Sequence, residues 1–194
     1  MKNKTKLFMA IFIAFIMISS VLGFALLQSF GGLGLIGNNR ETFTYNNLEF
    51  TQSQSGFYST NFQNKEILLV SDPRTLNNVK VPQISINELN NAEKIYVTQD
   101  STQNTQSIQS LLMGNIGQFL IPRVQVACIS DTKECVNLPL ITCNDATQTI
   151  KVIYFEESNE TDIIYENNCL TIKGSSDIQT LRKIDKLILT LLGI

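Results

Sequence analysis

Apolar and polar positions divide the chain into stretches with different periods. From Leu7 to Phe30 (LFMAIFIAFIMISSVLGFALLQSF), 24 largely apolar residues succeed one another without a charge. A helix of that length extends about 36 Å, enough for the ~30 Å hydrocarbon core of a bilayer. A helix buried in a soluble core keeps a polar face, and this run has none. The pattern predicts a membrane-directed segment over 1–30, then a Gly-rich tether over 31–39 (GGLGLIGNN).

Beyond the tether the period changes to two. Over 43–70 the pairs Phe43/Tyr45, Leu48/Phe50, Phe57/Tyr58/Phe62 and Ile67–Val70 alternate with polar residues between turn-rich breaks. That alternation predicts a meander of three or four short antiparallel strands. Alternating aromatics place half of these rings in a core and leave the others as a candidate recognition face. Asp72-Pro73 marks a short helical turn with Asp72 as its cap. Ser85-Ile86-Asn87-Glu88 matches a capping box and predicts a second short helix over 86–91.

From Lys94 the two periods alternate. KIYVT reads as a strand, and Ile108, Leu111, Leu112, Ile116, Phe119 and Leu120 share one helical face that Pro122 ends. RVQVACI comes next as another strand, which makes a right-handed βαβ unit with parallel strands. Gly114 and Gly117 inside this helix suggest close packing against a sheet. IKVIYF (150–155) is a further strand, an acidic loop EESNETD comes after it, and IIYENNCLTIKG reads as two strands around Asn167-Asn168. Ser176-Asp177-Ile178-Gln179 reads as a capping box, opening a last helix with Ile178, Leu181, Ile184, Ile188 and Leu191 on its buried face. The fold expected is mixed α/β. It comprises an N-terminal transmembrane helix, an antiparallel meander and a βαβ-containing sheet closed by a C-terminal helix, with residues 40–194 as one exported domain.

Charge gives the membrane segment a direction. Lys2, Lys4 and Lys6 precede it, and lysines at that position stay in the cytoplasm, so the remainder is exported. Two readings stay open. The segment is an uncleaved single-pass anchor, favoured because apolarity continues through Leu26, Leu27 and Phe30. Alternatively, Leu7–Ile18 is the core of a secretory signal cleaved near Gly23 or Ala25. In the first reading the lipid bilayer is a partner through the N-terminal helix, and the domain outside meets an envelope protein. Without those lysines the chain has 12 basic and 17 acidic residues, a net charge of −5. With no basic stripe, nucleic-acid binding is not expected.

The chain has no His. That removes Ser-His-Asp and Cys-His nucleophiles and the usual zinc sites. The four cysteines, Cys128, Cys135, Cys143 and Cys169, contain no C-x-x-C pair. In an exported domain this pattern reads as two disulfides rather than a redox or metal centre. Three connectivities are open, and Cys128–Cys135 with Cys143–Cys169 is the one favoured. Asn159-Glu160-Thr161 matches the N-glycosylation triplet in an exported loop.

The order of segments carries a resemblance. A membrane segment precedes TYNNLEF, GFYSTNF and KEILLVSDP, then VACIS and LPLITC, then NNCLTIKG and a final LLGI. In this the chain resembles small membrane-anchored or secreted proteins, of uncharacterised activity, predicted from reduced archaeal genomes. The resemblance implies export and paired cysteines, and it brings neither an activity nor site residues.

One set of carboxylates remains. Asp100, Asp131 and Glu156 each come just after a predicted strand, and in an open α/β sheet ligands bind beyond the carboxyl ends of strands. If those strands are parallel and adjacent, the three acids could hold a divalent cation for an exported hydrolase. Set against this is the ordinary preference of Asp for turns. The function expected is a non-catalytic, membrane-anchored extracytoplasmic domain with no cofactor, and the metal-dependent hydrolase is the alternative.

Overall fold

A computed structural model describes residues 41–100 and 102–194. The membrane segment and tether lie outside the described residues. Among the described residues no helix is long and apolar enough to cross a membrane.

Residues 42–69 form a four-stranded antiparallel sheet in sequence order: β1 (Thr42–Tyr45), β2 (Leu48–Gln52), β3 (Tyr58–Phe62) and β4 (Lys65–Leu69). Asn46-Asn47 and Gln63-Asn64 turn two of its hairpins with both residues at positive φ. Two-residue hairpins with the native twist need that geometry, and Asn tolerates it. Phe50 is fully buried, Phe43, Tyr45, Tyr58 and Phe62 are partly buried around it, and Phe57 is exposed. The aromatic side chains are therefore mostly core.

Asp72 caps a 3-10 turn at Pro73–Thr75, and Ser85 caps α1 (Ile86–Asn90) by accepting the Glu88 N–H. The second sheet has five strands in the order β6-β5-β7-β9-β8: β5 (Lys94–Gln99), β6 (Arg123–Cys128), β7 (Ile150–Glu157), β8 (Asp162–Glu166) and β9 (Cys169–Gly174). β6, β5, β7 and β9 run parallel, and β8 joins the edge antiparallel to β9 through the positive-φ turn Asn167-Asn168. α2 (Gln106–Ile116) is the β5–β6 crossover, and a 3-10 turn at Gly117–Phe119 continues it.

α2 and α3 (Ile178–Leu192) pack together and cover one face of this sheet. Ile95, Val97, Ile153, Phe155, Leu170 and Ile172 meet Ile108, Leu112, Ile116, Ile184 and Ile188 there, all buried. Two buried polar side chains attach the first sheet to these helices. The Asn115 amide of α2 accepts the Leu68 N–H at 2.7 Å and donates to the Leu68 carbonyl at 2.9 Å, as a neighbouring strand would. The Asp185 carboxyl of α3 accepts the N–H groups of Val70 and Ser71, at 3.3 and 2.7 Å. The free edge of β4 is closed by side chains rather than by another strand.

Three local expectations are corrected. The α3 cap is Asp177, one residue after Ser176, and its carboxylate accepts from the N–H groups of Gln179 and Thr180. Ile178 sits in the first turn and is exposed, while Leu187, Leu189 and Leu192 join the buried face. Gly114 and Gly117 face open space, where an added Cβ would meet nothing within 4 Å, so close packing does not explain them.

Candidate functional site

Among the described residues no helix covers the second face of the five-stranded sheet. Register places Lys94, Tyr96, Thr98, Val152, Tyr154, Glu156, Cys169, Thr171, Lys173 and Ile164 on this side. Its cover is the loop between β6 and β7, held at successive points. Cys128 is bonded to Cys135, closing a turn at the end of β6. Leu140 forms a parallel bridge with Cys128. The buried Thr98 hydroxyl donates to the Ile141 carbonyl at 2.9 Å. Thr142 and Asp145 make a capping box around the 3-10 turn Cys143–Asp145, and the Thr142 N–H and hydroxyl hold the Asp145 carboxyl below its ordinary pKa. Finally Cys143 is bonded to Cys169 at the start of β9, pinning the turn to the sheet with Cα atoms 5.3 Å apart. No cysteine is free.

Beside this last bridge lies a trough of about 350 Å³, with Tyr154 and Thr171 in its floor and Glu156, Lys173, Ile164 and Asn144 around it. Lys173 and Glu156 pair at 3.3 Å, both partly exposed. Burial, then the charges of Glu156 and Asp100, raise the pKa of the Tyr154 phenol, so it stays protonated and available as a donor. A smaller groove continues past Cys143 and Asn144 towards Ile129. The trough offers hydroxyl, amide and paired ionic groups around an aromatic ring. It offers no activated nucleophile: the cysteines are bonded, and the chain has no His.

The expected acidic cluster can be placed directly. β6, β5 and β7 are parallel and adjacent, so the strand ends preceding Asp131, Asp100 and Glu156 lie side by side. Each acid is otherwise engaged or apart. Asp100 accepts from the N–H and hydroxyl of Thr102 at 2.9 and 2.7 Å, which lowers its pKa. Glu156 faces Lys173, and Asp131 is exposed in the Cys128–Cys135 turn. Ligands of open α/β sheets enter where crossovers diverge, here between β5 and β7. That crevice is bridged: Gln103 accepts the Glu157 N–H at 2.7 Å, and the Glu157 carboxylate accepts the Asn104 N–H at 2.9 Å. Among the described residues no three His, Cys, Asp or Glu side chains could hold a metal ion together.

Asn159 is exposed in the β7–β8 turn, while the Thr161 hydroxyl of its triplet bonds that of Thr180 at 2.7 Å. Tyr154, Thr171 and Lys173 do not stand out in the sequence as site residues. Their signal is the alternation within IKVIYFEE and CLTIKG, which sets them opposite Ile153, Phe155, Leu170 and Ile172. No family model, no curated protein and no solved structure matches this chain.

Proposed function

We propose that this chain is a non-catalytic extracytoplasmic domain, held at the membrane by its apolar N-terminal segment, that presents the helix-free face of its larger sheet to a partner in the cell envelope. The observation that carries the reading is the Cys143–Cys169 disulfide, which fixes the β6–β7 loop across that face, while Cys128–Cys135 closes a turn at the end of β6. Disulfides persist in oxidising compartments, and three lysines before an uncharged apolar run direct the remainder of the chain outward. The trough beside Cys143–Cys169 supplies hydrogen-bonding and aromatic groups suited to recognition. The resemblance to small anchored or secreted archaeal proteins agrees with export.

The test is a membrane-impermeant protease applied to intact cells, then carbonate extraction of the membranes. The reading expects the domain to be lost from intact cells and the full-length chain to stay with the membrane pellet. A chain protected in intact cells and digested only after lysis contradicts export. One recovered outside the cells without its first residues contradicts the anchor and supports a cleaved signal.

A further inference from the structure

Six of the nine large apolar side chains exposed among the described residues fall in one stretch: Ile121, Val124, Val126, Val136, Leu138 and Leu140. The stretch contains β6, an edge of the five-stranded sheet. Val124 and Val126 pair in register with Ile95 and Val97, so they share the helix side of the sheet, yet they remain 39% and 48% exposed. Leu140, bridged to Cys128, extends the same apolar strip.

The main chain of this edge is also open. The Ile129 N–H donates inward to the Gln99 carbonyl, whereas Cys128 turns outward, donating to Pro139 and accepting from Ile141. Alternation along a strand therefore turns the N–H and C=O of Val124 and Val126 outward too. Neither has a hydrogen-bond partner on that side among the described residues. Two other edges are guarded: Asn115 and Asp185 close β4, and β8 starts at Asp162 and ends at Glu166. An edge with two exposed valines and no inward charge is the kind that pairs with another strand.

We infer that β6 is a self-association surface: it pairs antiparallel with β6 of a second copy, about a two-fold axis near Val124. Two features select a second copy. The free edge is short, closed at Cys128 by residues 139–141 and bounded by Pro122, which has no N–H. Two-fold pairing at Val124 uses what is left: Val124 exchanges both bonds with its counterpart and the Val126 N–H meets the Pro122 carbonyl, about four main-chain hydrogen bonds in all. The apolar strip, on the order of a few hundred Å² per copy, brings two copies to roughly 1,000 Å², the lower end of stable interfaces. The inference does not depend on where the domain resides.

The test is the protein mass of the full chain in detergent micelles, by light scattering corrected for detergent. The expected value is twice that of the 21.7 kDa chain. Val124→Lys with Val126→Lys should return it to the single-chain value with an unchanged near-ultraviolet circular dichroism spectrum, because both valines are exposed. A single-chain mass for the unmodified protein at about 100 µM overturns the proposal. So does a doubled mass that survives in the folded lysine variant, which would place the association elsewhere. Hydrogen exchange decides the case should that variant fail to fold. The Val124 and Val126 amides should slow by about tenfold or more between about 1 and 100 µM protein. Equal rates at both concentrations overturn the proposal.

Discussion

Asp185 makes the stability of this domain depend on mild acidity. Its side chain is fully buried where α3 meets the end of β4, and burial pushes its pKa up to about 6, while the N–H groups of Val70 and Ser71 pull it back. An unfolded chain titrates such a carboxyl near 3.9. Between about pH 4 and 6 the native state therefore binds more protons than the unfolded state, and stability falls as pH rises. The contribution is fully present below pH 4 and is lost as pH rises through 6. About two pKa units correspond to about 3 kcal/mol. For a domain of this size that is about 6–12 °C in thermal midpoint. The assay is thermal unfolding of the oxidised full chain between pH 4 and 7.5, monitored by near-ultraviolet circular dichroism of its tyrosines. Asp185→Asn, which keeps the shape and removes the titration, should flatten the profile in that window. Asp185→Ala leaves two buried N–H groups without an acceptor and should cost about 2–5 kcal/mol at every pH. An Asp185→Asn profile as steep as that of the unmodified protein would refute the reasoning.

Other perturbations test other joints. Cys143→Ser with Cys169→Ser opens a bridge between residues 26 apart and should cost about 3–4 kcal/mol, against about 2–2.5 kcal/mol for the pair seven apart, Cys128 and Cys135. Thermal midpoints in the reverse order would show that loop closure does not govern these bridges. Gly114→Ala adds a methyl in open space on α2 and should stabilise by up to about 1 kcal/mol. Gly174→Ala, at φ +156° and with its Cβ 2.5 Å from the Thr180 hydroxyl, should destabilise by about 2–4 kcal/mol. Midpoints moving in the same direction for both glycines would contradict the geometry.

What was legible in the sequence was local. Alternation over 43–70 marked the meander, and Asn167-Asn168 marked its hairpin because type I′ turns need positive φ at both positions. The α3 start was misplaced by one residue because Ser175, Ser176 and Asp177 all suit a cap. The charged acceptor takes two N–H groups, and Ser175 donates to it instead. Strand order was not legible: Lys94 pairs with Ile150 across 56 residues, and local propensity does not encode such pairing. For the same reason the trough was hidden. Alternation sets Tyr154 and Thr171 on that face, but the loop that walls the trough beside them is held there by the Cys143–Cys169 bridge, a contact between residues 26 apart. Asp100, Asp131 and Glu156 show the opposite case. Their strands are neighbours, but each acid obeys its own local hydrogen bond, ion pair or turn.

The central claim, an exported domain stapled by two disulfides and held at the membrane, is tested most directly by the intact mass of the chain from its native membranes. Free thiols are alkylated and no reductant is used. The account predicts a full-length chain without label, about 4 Da lighter than the reduced sequence through the loss of four hydrogens. Four alkylated cysteines would contradict it.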